Sequence, residues 1–215
     1  VGAVVVVDNT FLSPALQQPL NLGADIVIHS TTKYINGHSD VVGGAVVTKS
    51  QEHYEYLKYW ANCLGLTASP FDSYLTLRGL RTLKARLAVH LANTKSIVSV
   101  LTQHQAVQKT YYPGLKDHPG HAIAVTQQSD FGAMISFELK DTEEVKTFLQ
   151  QLKYFSLAES LGGVESLVAH PASMTHGSIP REERIKNGLA DSLIRLSVCI
   201  EYVHDLIADL KQAIN

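Results

Sequence analysis

Two apolar runs that each end abruptly in polar residues, about one helix length apart, restrict this chain more than any other feature. Residues 3–7 (AVVVV) form an uninterrupted β-branched run, the pattern of a strand covered on both faces. Asp8-Asn9-Thr10 follows at once. Pro14 then opens a helical stretch with Leu16 and Leu20 four apart, and Gly23 stops it. Residues 26–29 (IVIH) read as a second buried strand, which runs into Ser30-Thr31-Thr32-Lys33-Tyr34. A third run, 41–47 (VVGGAVV), is interrupted by Gly43 and Gly44, which mark a bulge or a close backbone approach. Strand, helix and strand in so short a span predict an α/β fold with a largely parallel sheet.

The texture then changes. Residues 69 to about 105 read as helix: Pro70 suits its first turn, Asp72 is a second cap candidate, and leucines recur at 75, 80, 83, 87 and 91. Gly79 marks a break near its start. Beyond it, 131–139 (FGAMISFEL) and 194–201 (IRLSVCIE) read as strands, and 143–152 as an amphipathic helix. A last helix, 204–213, puts Leu206, Ile207, Leu210 and Ile214 on one face. An α+β unit therefore follows the first one, with the boundary expected near residue 85, inside the long helix.

Composition excludes several classes. Eighteen basic residues nearly cancel 20 acidic ones, for a net charge of −2, so neither a nucleic-acid footprint nor a polybasic membrane surface is expected. No apolar run approaches the roughly 20 residues of a bilayer span. Cys63 and Cys199 belong to no CxxC pattern, so neither a disulfide framework nor a zinc site is expected, and a cytoplasmic, reducing location is the natural expectation. The ten histidines, including the His118–His121 turn, lack companions at ligand spacing and read as surface or polar-core residues; no metal site is expected.

In an open parallel sheet, ligands bind beyond the carboxyl ends of the strands. Here Asp8 follows the first strand, and Ser30 to Lys33 follow the second. A lysine in a desolvated pocket loses proton affinity and becomes a usable amine nucleophile. Pyridoxal phosphate needs such a lysine, an acidic partner for its pyridine nitrogen, and donors for its phosphate. Ser30 and Thr32 stand beside Lys33 as hydroxyl donors. From pattern alone, an exposed loop lysine with Asp8 as a plain turn residue remains open as the alternative. A dinucleotide-binding dehydrogenase fits less well, because DNTF and not a glycine fingerprint follows the first strand.

VDNTF at 7–11, with STTKYINGHSD at 30–40, resembles the signature of the Cys/Met-metabolism pyridoxal-phosphate enzymes, the transsulfuration family on the fold-type I aminotransferase-like scaffold. SPFDSYLTLRGLRTL at 69–83, FGAMISFEL at 131–139, AESLGGVESL at 158–167, MTHGSIPREER at 174–184 and LIRLSVCIE at 193–201 resemble further family blocks, in family order. The resemblance thus covers essentially the whole chain. Within the family the likeness is closest to the cystathionine γ-synthases, with the γ-lyases near neighbours.

The resemblance implies roles. Lys33 matches the lysine that carries the cofactor and shuttles protons at substrate Cα and Cβ. Asp8 matches the carboxylate that keeps the pyridine nitrogen protonated, a charge-assisted hydrogen bond in a low-dielectric site. Ser30 and Thr32 match phosphate-contacting hydroxyls. Arg195 matches the arginine that grips the substrate α-carboxylate, which its planar fork suits; a structural ion pair is the alternative. Ser160 matches a serine near the same carboxylate, or else satisfies backbone in the LGG turn. Glu159 matches an acidic residue that accompanies enzymes handling cystathionine, whose distal amino group would pair with it; a plain exposed carboxylate is its rival. Cys199 stands where the family usually has glycine, and Gly177 where alanine is commoner.

By the same resemblance, residues 1–85 are the C-terminal part of the cofactor-binding domain and 86–215 the small C-terminal α+β domain. The N-terminal half of the family pattern is absent, with its glycine-rich phosphate helix, its stacking tyrosine, and the tyrosine and arginine lent by a neighbouring subunit. The implied reaction is γ-replacement on O-succinylhomoserine by cysteine to give cystathionine, a step of methionine biosynthesis. The implied partners are amino-acid substrates and further copies of the chain, in a homotetramer built as a dimer of dimers. Cleavage of cystathionine to cysteine, α-ketobutyrate and ammonia is the alternative within the class. A non-catalytic piece, active only when assembled with an N-terminal half, is the alternative outside it.

Overall fold

The computed structural model describes residues 2–214, which build two sheets joined by one long helix. In the first sheet, β1 (Val6–Asp8) lies parallel to β2 (Ile26–Ser30), with Asp8 opposite Ile28. β3 (Gly44–Thr48) pairs with β2 in the antiparallel sense, so the sheet is mixed and not largely parallel as expected. The reason lies in the connection. Residues 31–43 form a turn and loop with no helix, so the connection lacks the crossover element on which a parallel return is usually built. The register from Ile26–Thr48 to Ser30–Gly44 is regular, so Gly43 and Gly44 mark no bulge. A Cβ on Gly43 would lie 2.8 Å from the Thr31 hydroxyl, and close approach is what that glycine serves.

Two further expectations for this region fail. The 3–7 run is not covered on both faces: its strand begins only at Val6, and Val4, Val5 and Val6 are about half exposed. The helix expected from Pro14 to Gly23 is two short pieces, α1 (Ser13–Leu16) and a 3-10 turn at Pro19–Leu22. Pro19 lacks the N–H that would continue the helix and forces Gln18 out of helical geometry. Gly23 does stop the turn, at φ 104°.

α2 (Gln51–Cys63), which the sequence pattern did not reveal, is capped by Ser50 and has no buried residue. α3 (Pro70–Gln103) starts at Ser69, whose hydroxyl accepts the Asp72 N–H, and runs unbroken through Gly79 and residue 85. Gly79 is no break. A Cβ there would sit 2.1 Å from the Asn36 carbonyl oxygen, so glycine lets α3 lie directly on the turn that holds Lys33.

The second sheet has the order β4-β5-β8-β7-β6, with β4 at Val107–Tyr111, β5 at Met134–Leu139, β6 at Ser156–Leu157, β7 at Leu167–Ala169 and β8 at Leu193–Ser197. All neighbours are antiparallel except β6 and β7. Between them fall α4 (His121–Gln127), α5 (Glu144–Gln151) and α6 (Arg181–Lys186), and α7 (Val203–Ala213) follows. The strand expected at 194–201 ends at Ser197, because Cys199 gives its backbone N–H to a side chain, the Ser166 hydroxyl. The C-terminal half of α3, with α5 and α7, packs on one face of this sheet. Ile97, Leu101, Phe137, Phe148, Ile194, Leu196, Leu206 and Leu210 form the core there. Leu206 and Leu210 are fully buried and Ile214 nearly so, as the 3.6-residue period requires. α7 also holds a buried carboxylate: Asp209 accepts the backbone N–H groups of Lys153, Tyr154 and Phe155. A smaller cluster of Leu16, Tyr34, Leu83, Leu87, Ala133 and Leu161 joins the first sheet to α3 and the second unit.

Candidate active site

Strand alternation aims the two key side chains. In β8, Ile194 and Leu196 are fully buried, so Arg195 projects from the opposite face, between Ser136 and Ala169 of the neighbouring strands. Asp8 ends β1, and the turn after β2 carries Lys33 past the same edge of the first sheet. That turn is tied internally by Asn36 N–H to Thr31 O and Gly37 N–H to Lys33 O, both at 2.8 Å.

The strand ends are fastened to each other by the DNT segment. Asp8 Oδ1 accepts the Thr10 N–H at 2.9 Å, and the Thr10 hydroxyl accepts the Ser30 N–H at 2.8 Å. Asn9 donates its backbone N–H to Ile28 O and its side-chain amide to the carbonyls of Ser13 and Gln17. Asp8 keeps an exposed carboxylate that takes no ion-pair partner among the described residues. It does act on His29: burial pushes the His29 pKa down, and Asp8 opposes that.

Lys33 meets the second unit. Its Nζ donates to the Ser160 hydroxyl at 2.9 Å, across 127 residues of sequence. Burial lowers the Lys33 pKa, and the Arg195 guanidinium lowers it further. Arg195 donates through Nη2 to the Glu159 and Ser160 carbonyls, and burial lowers its pKa while Glu159 raises it. It makes no ion pair among the described residues, so the structural-pair alternative is not what is seen. The structure thus brings Lys33, Ser160, Glu159 and Arg195 together. The Glu159 carboxylate is exposed and forms no ion pair among the described residues.

Thr32 is differently engaged: its hydroxyl accepts the Gly43 N–H at 3.0 Å, which leaves it less free for a phosphate than expected. Ser30 uses its backbone N–H on Thr10 and sits half-buried at the strand end. Cys199 is fully buried, and burial pushes its thiol up to about 12, so it is inert packing and not a nucleophile.

Sequence reading missed Arg86. It is buried, and its Nη2 donates to the carbonyls of Tyr34, Ile35 and Gly79, clamping the Lys33 turn to α3. An arginine three residues after Leu83, on the helix's apolar stripe, was the signal available: a cation on a core face needs acceptors brought to it.

These residues fit pyridoxal phosphate by their chemistry. A primary amine with depressed pKa suits the cofactor aldehyde, an unpaired carboxylate at the neighbouring strand end suits its pyridinium nitrogen, and the Ser30 hydroxyl suits its phosphate.

Comparison with known proteins agrees. A cystathionine β-lyase of Lactococcus lactis subsp. cremoris (strain MG1363) is 54% identical over 213 residues, which are 99% of this chain and 56% of that protein. A cystathionine γ-synthase of Escherichia coli (strain K12) is 54% identical over 212 residues, 98% of this chain and 55% of that protein. The crystal structure of cystathionine γ-synthase from Xanthomonas oryzae pv. oryzae in complex with cystathionine superposes with a TM-score of 0.96 at 61% identity, covering 100% of this chain and 56% of that one. The chain therefore spans little more than half the length of the relatives it matches, and its α/β fold is theirs. Residues 1–215 match, from end to end, the model of one family, and this chain belongs to the Cys/Met metabolism PLP-dependent enzymes.

Proposed function

We propose that this chain supplies the lysine, the pyridine-facing carboxylate and the carboxylate-binding arginine of a cystathionine γ-synthase. Such an enzyme replaces the γ-substituent of an O-activated homoserine, O-succinylhomoserine, by the thiol of cysteine to give cystathionine. The observation that carries the reading is the contact of Lys33 Nζ with Ser160, whose carbonyl is held by Arg195. It puts an amine with lowered proton affinity beside an unpaired guanidinium. Identity of 61% to the X. oryzae γ-synthase structure supports the synthase reading.

Bound pyridoxal phosphate supplies an electron sink for charge that develops at substrate Cα. The chain's own residues do the rest. Arg195 binds the substrate α-carboxylate through the N–H groups that the Glu159 and Ser160 carbonyls leave free, and orients Cα toward Lys33. The Lys33 amine, its proton affinity lowered by burial and by Arg195, takes the proton from Cα and next from Cβ, which allows the γ-substituent to leave. Asp8 holds the pyridine nitrogen in its protonated form, Ser30 and Thr32 face the phosphate, and Ser160 holds Lys33 in reserve near the carboxylate. Glu159 receives the distal ammonium of cystathionine. Residues 1–85 and 86–215 act as the cofactor and small domains of a cytoplasmic homotetramer.

Cystathionine γ-lyase activity is the second reading, favoured by a Bacillus subtilis γ-lyase at 54% identity. Both are tested on purified full-length protein by assaying cystathionine formed from O-succinylhomoserine and cysteine, and ketoacid released from cystathionine. Synthesis should dominate. The Lys33→Ala variant should lose the cofactor's visible absorption band and both activities. A colourless parent, or full activity in that variant, would refute the reading.

A further inference from the structure

A polar network that the proposed reaction does not use lies behind the strand that carries Arg195. Ser166 is fully buried, and its hydroxyl is engaged on both sides. It donates to one Glu201 carboxylate oxygen at 2.8 Å and accepts the Cys199 backbone N–H at 2.9 Å. The other Glu201 oxygen accepts the Ser166 backbone N–H. Nearby, the Ser197 hydroxyl accepts the Gly162 N–H at 3.0 Å. α3 holds the same stretch from beneath: the His90 Nδ1–H donates to the Val198 carbonyl, and the Asn93 amide to the carbonyls of Cys199 and Glu201.

These bonds join two segments, 158–166 and 197–201. The first carries Glu159 and Ser160, and the second continues directly from Arg195. Segment 158–166 is irregular through its middle; among the described residues its backbone pairs with the sheet near its ends, through Ala158 to Val168 and Ser166 to Ser156, and meets 197–201 through one long bond, Ile200 N–H to Val164 O at 3.5 Å. Side-chain bonds therefore take the place of a strand ladder in setting its height above Lys33. A carboxylate accepting both an N–H and an O–H is the strongest fastening available there.

We infer that Ser166 and Glu201 are positioning residues for the substrate-carboxylate site: together they latch the 158–166 segment to the end of β8, so that Ser160 and Arg195 face Lys33 at fixed spacing. The inference rests on the proposed role of Arg195 and Ser160 and names what holds them in register. Neither latch residue touches substrate. Loosening them should displace the carboxylate grip and leave the cofactor lysine in place, because Lys33 is held separately by Arg86 and the Thr31–Gly37 turn.

The test uses the full-length cofactor-loaded protein with Ser166→Ala and Glu201→Gln. Glycine, which carries the α-carboxylate and amine without a γ-substituent, is titrated against the cofactor's visible spectrum. Hydrogen exchange of the 158–166 peptides is followed without ligand. Loss of one charge-assisted bond should weaken glycine binding and raise KM about tenfold in Ser166→Ala, with a smaller change in Glu201→Gln, which keeps one acceptor oxygen. Cofactor content and kcat should stay within about twofold of the parent, and faster exchange should be confined to 158–166. Unchanged glycine affinity in both variants would overturn the inference. So would a loss of affinity accompanied by loss of cofactor and faster exchange throughout, the mark of a merely structural role. Should Ser166→Ala fail to fold, Glu201→Gln decides alone. A cofactor-loaded parent with no spectral response to glycine would instead overturn the carboxylate-site reading beneath it.

Discussion

Lys33 illustrates how much one residue's chemistry depends on distant neighbours. Burial lowers its pKa first, and Arg195 lowers it second. The reactive species is the free amine, so lowering the pKa raises the reactive fraction at a given pH. Removing the cation at 195 must therefore raise the Lys33 pKa and shift the onset of its reactivity to higher pH. In Arg195→Gln, attachment of pyridoxal phosphate at residue 33, trapped by borohydride and read by mass spectrometry across pH, should rise at a more alkaline pH than in the parent. An equal or more acidic midpoint would show that Arg195 does not act on Lys33. Asp8, Lys33 and Arg195 were singled out by the resemblance of the sequence blocks that carry them, since pattern alone left Lys33 open as a plain loop lysine. Ser166, Glu201 and Ser197 were not, since a buried serine is meaningful only through a partner some 35 residues away. Thr32 adds a contact that no local pattern shows: its hydroxyl, matched by resemblance to a phosphate-facing one, also accepts the Gly43 N–H.

At the scale of elements, periodicity gave the long helix within a residue or two at each end but misread its glycine. Propensity alone makes Gly79 a weak point, and replacing glycine by alanine inside a helix should gain about 1 kcal/mol. The packing reverses that expectation. An alanine Cβ would meet the Asn36 carbonyl at 2.1 Å, and the Gly79 carbonyl is itself an acceptor for Arg86. Overpacking against backbone costs roughly 1–3 kcal/mol, and at 2.1 Å from a carbonyl oxygen the upper end applies, so Gly79→Ala should lower stability by about 2 kcal/mol net. Thermal unfolding should show a lower Tm, together with weaker retention of cofactor as the Lys33 turn shifts. A raised Tm would mean that α3 does not rest on that turn. The direction of β3 was beyond local reading for a related reason: strand sense depends on what the connection does, and 31–43 carried no periodic signal at all. α2 was missed for another reason: it buries no residue, and only His53, Leu57 and Ala61, four apart along one line, are half-buried.

Across the whole molecule the apolar surface is unevenly used. The second sheet has a full core between its strands and α3, α5 and α7, whereas the first leaves Val4, Val5, Val6, Val46 and Val47 about half exposed. α2 buries nothing, and Tyr56 and Tyr59 stand out from it. Local stability follows buried apolar contact, so the two units should open with different free energies. In the 215-residue chain on its own, amides of β5 and β8 should exchange with near-global protection. Those of β1, β3 and α2 should exchange faster by roughly a hundredfold or more, the ratio that a difference of about 3 kcal/mol in local opening produces. Uniform protection across both sheets would contradict this picture. The chain spans 56% of the length of the L. lactis relative, so the same measurement on full-length protein separates two explanations of the bare faces. If other parts of the assembled enzyme cover β1, β3 and α2, their protection should rise toward that of β5, while β5 and β8 change little. If the faces stay open there too, protection of the first sheet should remain low in both forms, and Lys33 would then sit at the edge of the least stable part of the molecule.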